Sequence, residues 1–131
     1  MVAALIVRLG AGFVAIRKLP GLLPGAKVAR VTPADYRGNR TTLRMQRRSL
    51  DEHDRALLVD DWFETGSQAL TAKAMVEEAG AVLIGAAVMV DQLAGPARRA
   101  LGVPLTSLIP AAALGPSEPR LASPPPAPPG R

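Results

Sequence analysis

Apolar and polar positions divide the chain into short elements separated by glycine and proline. Residues 2 to 9 are apolar apart from Arg8, and they predict the end of a helix closed by Gly10. Residues 12 to 18, "GFVAIRK", alternate and carry β-branched side chains, which predicts a strand. The two Pro-Gly pairs of "LPGLLPG" then predict a loop over residues 19 to 25.

A weakly alternating segment follows, from residue 27 to residue 50. It predicts two extended arms around the turn "RGN", and five arginines fall between positions 37 and 48. Two interpretations are open. The hairpin is either a solvated, twisted ribbon, which we favour, or a surface that contacts phosphate.

The middle of the chain has the order strand, helix, strand. "RALLVDD" (55 to 61) predicts a buried strand, and "SQALTAKAMVEEAG" (67 to 80) predicts a helix that Ser67 can cap. The apolar run 81 to 90 predicts a strand covered on both faces. These three elements form a βαβ unit of a parallel sheet, to which "PLTSLIP" (104 to 110) adds a last strand.

Length and composition indicate one folded domain with a tail. The 131 residues fit a domain over 1–114, followed by a disordered tail over 115–131 that holds seven of the thirteen prolines. The absence of cysteine excludes disulfides and thiolate metal sites. The apolar run before Arg8 is too short to span a bilayer, so we expect a cytoplasmic protein without a membrane partner.

Charge is divided unevenly between the two parts of the chain. Residues 1 to 50 carry ten Lys or Arg and one acid, whereas residues 51 to 131 carry six Lys or Arg and ten acids. A basic half facing an acidic half suits a polyanionic ligand that carries a metal ion. It also suits nucleic acid, but aromatic residues at 3% leave few side chains for base stacking, so we do not favour that partner.

The stretch "ALLVDDWFETGSQ" carries the candidate chemistry. Asp60 and Asp61 end a predicted strand of an open parallel sheet, which is where such sheets bind ligands. Their carboxylates can accept bonds from sugar hydroxyls or orient a hydrated Mg²⁺. The turn Thr65-Gly66-Ser67 then presents backbone N–H groups at the positive end of a helix dipole, which is a phosphate site. The pattern predicts a receptor for a ribose bearing a phosphate.

This stretch resembles the phosphoribosyl-diphosphate-binding motif of type I phosphoribosyltransferases, in which two acids precede Thr-Gly and a small residue. The segments "GAGFVAIRKLPGLLPG", "DYRGNRTTLRMQ" and "GVPLTSLI" resemble the adenine-specific members, so that the resemblance covers roughly residues 3 to 110. It implies an α/β fold with a parallel sheet flanked by helices and a flexible basic hairpin loop.

The resemblance also implies roles for particular residues. Asp60 and Asp61 would accept the ribose hydroxyls, and Arg17 and Lys18 would lie near the pyrophosphate. Mg²⁺ would enter with the diphosphate, without a direct protein ligand. The 5′-phosphate would sit on Glu64, Thr65, Gly66, Ser67 and Gln68.

Two acids are candidates for a catalytic role by the same resemblance. Glu64 stands where the hypoxanthine-guanine relatives carry an acid near the purine ring, and it would act as a base there. Alternatively, it only favours the helix N-terminus electrostatically. Asp35 precedes Tyr36 as a carboxylate precedes Tyr in the mobile loop of the adenine enzymes.

The chain departs from the family at its start, where relatives have a further strand and a substrate-covering hood. We therefore expect the domain to lack its first strand and hood. Segments 12–18 and 56–61 would then meet directly, or a partner subunit would supply a strand.

The implied activity is transfer of ribose 5-phosphate from phosphoribosyl diphosphate to a purine, with adenine favoured, and release of pyrophosphate in purine salvage. A homodimer is compatible with this activity. The alternatives are a non-catalytic regulator that binds phosphoribosyl diphosphate and an inactive, truncated paralogue.

Overall fold

The computed structural model describes residues 2–19, 25–35 and 38–115. Parts of the predicted loop and turn, and tail residues 116 to 131, lie outside this range. None of the helices in the described ranges is long and apolar enough to cross a bilayer. The elements are α1 (Val2–Leu9), β1 (Lys27–Val31), β2 (Thr42–Gln46), β3 (Arg55–Phe63), α2 (Ser67–Glu78), β4 (Val82–Asp91), α3 (Gly95–Leu101), β5 (Leu105–Pro110) and a 3₁₀ turn (Ala111–Ala113).

The sheet that carries the candidate site is parallel and has the order β3-β4-β5. Asp60 of β3 lies opposite Val88 of β4, which in turn lies opposite Ser107 of β5. Helix α2 connects β3 to β4, so the predicted βαβ unit is confirmed. The last predicted strand is also confirmed, one residue shorter than its predicted range.

The two predicted arms are confirmed as the antiparallel pair β1 and β2, in which Val28 lies opposite Met45. One face of this hairpin is buried, because Val28 and Met45 share an apolar cluster with Met75 of α2. At its edge Arg30 Nε donates to Glu78 Oε2 at 2.8 Å. The interpretation of the hairpin as a solvated ribbon is therefore wrong for this face, which packs on the helix that follows the candidate site.

Residues 12 to 18 do not form the predicted strand. Within this segment Arg17 makes an isolated antiparallel bridge with Arg44, through two backbone hydrogen bonds of 2.8 Å. Val14 and Ile16 pack against the hairpin cluster, so their alternation reflects one buried side and not a paired strand. Because the segment pairs with β2 and not with β3, the expected direct pairing of residues 12–18 with 56–61 is wrong as well.

The parallel sheet is less buried than the sequence predicts. Strand β3 is half-buried, because in the described part of the chain it pairs on one side only, with β4. On β4, Ala86 and Val88 are buried, whereas Val82 is 56% exposed and Met89 is 41% exposed. The prediction of a strand covered on both faces is therefore wrong. Among the described residues, helical packing covers one face of the sheet.

Candidate functional site

The two adjacent carboxylates lie near the carboxyl end of β3. Asp60 is half-buried and Asp61 is exposed, as expected for neighbouring strand residues, whose side chains point to opposite faces. Asp60 Oδ1 accepts the backbone N–H of Asp61 at 2.9 Å. The strand continues to Phe63, two residues beyond the predicted end, so the acids precede the last two positions of the ladder.

Burial is the main influence on the charge of Asp60. It raises the pKa of this carboxyl above the ordinary value of 3.8, and the neighbouring Asp61 carboxylate acts in the same direction. The Lys18 ammonium lowers the pKa of Asp60, so the structure brings Lys18 within electrostatic range of the acids. An ionised Asp60 therefore favours additional cations or hydrogen-bond donors, which sugar hydroxyls and hydrated metal ions supply.

The turn between β3 and α2 is built by Thr65, Gly66 and Ser67. Gly66 is the N-cap of α2 and has a φ of 85°, whereas Ser67 is the first residue of the helix. The prediction that Ser67 caps the helix is therefore wrong. The nearest substitute is Thr65 Oγ1, which accepts the Ser67 N–H at 3.3 Å and lies 3.0 Å from Ser67 Oγ. The chain enters the helix through a left-handed glycine, which has no side chain of its own to cap the helix.

Glycine is required at position 66 by the lack of room for a side chain as well as by the backbone conformation. A Cβ at this position would lie 2.9 Å from Leu93 Cδ2, closer than Cβ atoms approach other atoms in proteins, and 3.0 Å from Ala97 Cβ, which is tighter than most such contacts. Leu93 follows β4, and Ala97 belongs to α3. The turn therefore lies directly on side chains from the next part of the fold.

The remaining residues of the predicted ligand set surround this junction. Glu64 is exposed and precedes the turn, and Gln68 is half-buried in the first turn of α2. Arg17 and Lys18 are exposed, and the carbonyl of Lys18 accepts Arg44 Nη1 at 2.9 Å. The bond holds the segment that brings Lys18 to the acids. The roles assigned to these four residues stay predictions.

Asp35 lies at the turn of the hairpin. Its Oδ1 accepts the backbone N–H of Asn39 at 2.8 Å, and its carbonyl accepts the N–H of Gly38 at 2.9 Å. The carboxylate therefore stabilises the turn in this conformation. Its neighbour Tyr36 lies outside the described residues, and a catalytic role for Asp35 stays a prediction.

The donor set is compatible with Mg²⁺ that arrives with a ligand. Across the described ranges no group of three or more His, Asp or Glu side chains could hold a metal ion by itself. Asp60 and Asp61 provide two carboxylates. Mg²⁺ usually keeps several waters and binds substrate phosphates, so these carboxylates fit the role of accepting hydrogen bonds from the waters of such an ion.

Sequence reasoning missed α3 and a half-buried ion pair that connects it to β4. Asp91, the last residue of β4, is 5% exposed, and its Oδ2 lies 2.5 Å from Arg98 Nη2 of α3. The sequence does contain signals for this helix and for the acid of the ion pair. Pro96 near the start of α3 and Gly102 after its end are typical of helix boundaries. An acid that ends an apolar strand could have been singled out at Asp91 as it was at Asp60.

Comparison with known proteins identifies relatives over most of the chain. No family model matches it. The adenine phosphoribosyltransferase of Nocardioides sp. is 39% identical over 108 residues, which are 82% of this chain and 57% of the relative. A second adenine phosphoribosyltransferase, from Gluconacetobacter diazotrophicus, is 35% identical over 107 residues and matches over 59% of its length. The chain thus spans less than two thirds of the length of these relatives.

Solved structures give the same result. The adenine phosphoribosyltransferase of Thermoanaerobacter pseudethanolicus superposes with a TM-score of 0.70 at 29% identity, over 82% of this chain and 62% of that one. The Giardia lamblia enzyme, complexed with 9-deazaadenine, superposes with a TM-score of 0.68 at 33% identity, over 82% and 61%. The predicted α/β fold is confirmed, and the chain is similar to adenine phosphoribosyltransferases over most of its length, which is consistent with the resemblance to type I phosphoribosyltransferases.

Proposed function

We propose that this chain is a purine phosphoribosyltransferase that acts on adenine. The observation that carries the proposal is the β3–α2 junction, where two carboxylates precede a glycine turn at the start of a helix. The similarity to adenine phosphoribosyltransferases supports the choice of purine, as does the 9-deazaadenine bound by the Giardia relative.

The proposed ligand contacts follow from the chemistry of the junction. Asp60 and Asp61 accept the ribose hydroxyls, and the backbone N–H groups around Gly66 bind the 5′-phosphate at the positive end of α2. Phosphoribosyl diphosphate brings Mg²⁺, which neutralises part of the diphosphate charge. Arg17 and Lys18 contact the pyrophosphate, since Lys18 is already within range of Asp60.

The proposed reaction is a displacement at C1 of the ribose. The bond from C1 to the pyrophosphate oxygen breaks and its electron pair leaves with pyrophosphate, while a purine nitrogen forms a bond to C1 and loses its proton. Glu64 is exposed beside the turn and is the proposed acceptor of that proton. Arg17 and Lys18 stabilise the charge that develops on the leaving group.

Nucleotide formation tests the proposed function directly. The chain is incubated with phosphoribosyl diphosphate, Mg²⁺ and either adenine, hypoxanthine or guanine, and products are separated by chromatography. We expect adenosine monophosphate and equimolar pyrophosphate with adenine. Binding of phosphoribosyl diphosphate without nucleotide formation from any base would contradict the enzymatic function and favour a regulator.

We further propose a cytoplasmic location and a homodimer.

A separate prediction tests the pyrophosphate contacts. Arg17→Ala and Lys18→Ala should each weaken binding of pyrophosphate by roughly ten- to a hundredfold, since a charge-assisted hydrogen bond of about 1.5–3 kcal/mol is lost. Binding of adenosine monophosphate, which lacks that group, should change little. Calorimetry with both ligands measures the difference. Arg8→Ala in α1 removes the same charge elsewhere and is the control. Equal losses for both ligands would contradict the assignment.

A further inference from the structure

The Asp91–Arg98 ion pair lies behind the turn that we propose as the phosphate site. Asp91 is the last residue of β4 and is 5% exposed, and both of its carboxylate oxygens have partners. Oδ1 accepts the backbone N–H of Leu93 at 3.0 Å, and Oδ2 accepts Nη2 of Arg98 at 2.5 Å. One carboxylate thus fixes the conformation of the loop after β4 and holds α3 against it.

The same loop is attached to the end of β3. The Gln92 N–H donates to the carbonyl of Phe63 at 2.8 Å, and Gln92 Oε1 accepts Trp62 Nε1 at 3.0 Å. Phe63 is also the register partner of Asp91 in the parallel ladder. The three residues after Val90 therefore lie between the end of the strand that carries the acids and the helix that carries Arg98.

This arrangement determines what lies under Gly66. The loop places Leu93, and α3 places Ala97, at 2.9 and 3.0 Å from the position that a Cβ of Gly66 would occupy. Gly66 itself is buried. The position of the turn backbone is therefore set by the side chains of Leu93 and Ala97. The Asp91 carboxylate holds both in place, because it accepts the Leu93 N–H and binds Arg98 of the helix that carries Ala97.

We propose that Asp91 and Arg98 are positioning residues for the 5′-phosphate site, acting through Leu93 and Ala97 on the Thr65–Ser67 turn. The inference rests on the proposed function, because it names what orients the backbone N–H groups of that same site. Neither residue contacts the ligand. Their role is to hold the turn backbone in place, so that its N–H groups are oriented before a phosphate binds.

The matched variants are Arg98→Met and Arg99→Met, which remove equal charge from adjacent positions of α3. The Arg99 guanidinium lies near Gly95, with Nη1 3.2 Å from the position of a Cβ there, so it serves as the control. Arg98→Lys keeps a cation for Asp91. Because the Arg98 side chain is 46% exposed, its replacement opens no cavity in the apolar core, but it leaves the buried Asp91 carboxylate without its cation. Arg98→Lys therefore separates the loss of the cation from the loss of the guanidinium.

Two measurements decide the inference. Calorimetry with ribose 5-phosphate should show binding about tenfold weaker in Arg98→Met, similar to the loss when a residue that orients a metal ligand is removed. Pyrophosphate binding should be unchanged, Arg98→Lys should recover most of the loss, and Arg99→Met should behave as the unmodified chain. Amide hydrogen exchange without ligand should be faster over residues 65–69 in Arg98→Met alone.

The outcomes separate the inference from the function on which it rests. Equal ribose 5-phosphate affinity and equal exchange in Arg98→Met and Arg99→Met would overturn the positioning role and leave the proposed function intact. A parallel loss of pyrophosphate binding would also overturn it, because it would indicate general destabilisation. If the unmodified chain does not bind ribose 5-phosphate, the proposed function fails. Whatever that result, unchanged hydrogen exchange over residues 65–69 in Arg98→Met overturns the positioning role.

Discussion

Replacing both acids of β3 by their amides, Asp60→Asn with Asp61→Asn, should weaken binding of phosphoribosyl diphosphate by well over tenfold. Each substitution removes a charge-assisted contact worth about 1.5–3 kcal/mol, and the two contacts are made to different hydroxyls of one ribose. Calorimetry in the presence of Mg²⁺ measures the loss. Because asparagine keeps an acceptor oxygen, the bond from the Asp61 N–H to residue 60 can survive, and the strand should keep its conformation.

The control is a second pair of carboxylates at the opposite end of the same strand. Asp51 and Asp54 are exposed and make turn hydrogen bonds before β3, one of them from the Asp51 N–H to Asp54 Oδ2 at 2.9 Å. Asp51→Asn with Asp54→Asn changes the net charge by the same amount without touching the junction. Equal affinities for the two double variants would show that the loss is an effect of overall charge and would contradict the proposed ribose contacts.

The raised pKa of Asp60 predicts the direction in which Asp60→Asn changes stability at different pH values. Burial raises it above 3.8, so ionisation of Asp60 opposes folding at every pH above its folded-state pKa. Asp60→Asn alone should therefore melt no lower than the unmodified chain at pH 7. The advantage should shrink as the pH falls through the raised pKa and disappear below 3.8, where Asp60 becomes protonated in the unfolded chain as well. Ligand binding by the unmodified chain should weaken over the same fall in pH. A lower melting temperature for Asp60→Asn at pH 7 would contradict the conclusion that ionised Asp60 destabilises the folded chain.

The elements β3, α2, β4 and β5 could be predicted because their signals are local, although α3 between the last two was missed. Period-two alternation, a 3.6-residue apolar period and glycines after helices each act within one element, and β3, α2, β4 and β5 lie within two residues of their predicted bounds. The ligand motif is also local, since the acids and the turn lie within eight residues. It could therefore be located before any packing was known.

Burial and long-range pairing could not be predicted in the same way. The apolar run of β4 is equally compatible with one or two covered faces, because composition does not specify what packs above a sheet. Residues 12 to 18 have strand composition, yet a strand also needs a partner in register, and the bridge from Arg17 to Arg44 joins positions 27 residues apart. The support under Gly66 depends on Leu93 and Ala97, whose approach requires the whole βαβ unit to be folded.

Gly66→Ala should have the other large effect, on both stability and binding. A left-handed conformation costs a non-glycine residue about 1–2 kcal/mol, and the φ of 85° at Gly66 lies in that region. The added methyl group would also meet Leu93 Cδ2 at 2.9 Å and Ala97 Cβ at 3.0 Å. Overpacking of this kind typically costs a further 1–3 kcal/mol or so. Leu93 Cδ2 ends a flexible side chain and can move aside, whereas Ala97 Cβ is attached directly to the backbone of α3. Part of the adjustment therefore falls on the turn, whose backbone makes the proposed phosphate contacts.

The expected result for Gly66→Ala is therefore a lower melting temperature together with ribose 5-phosphate binding weakened by more than the loss of folded protein explains. Gly102→Ala is the matched control, because Gly102 also has a positive φ, of 66°, but the nearest atoms to a Cβ there lie 3.7 Å away or more. Gly102→Ala therefore has the same cost of a left-handed backbone as Gly66→Ala, but its new methyl group clashes with no neighbouring atom. Adding Leu93→Ala to Gly66→Ala should recover part of the affinity, since it removes the side chain whose Cδ2 the new methyl meets, while the positive φ remains. Affinity that is equally low with Leu93 or alanine at position 93 would show that the support under the turn is not what positions the phosphate site.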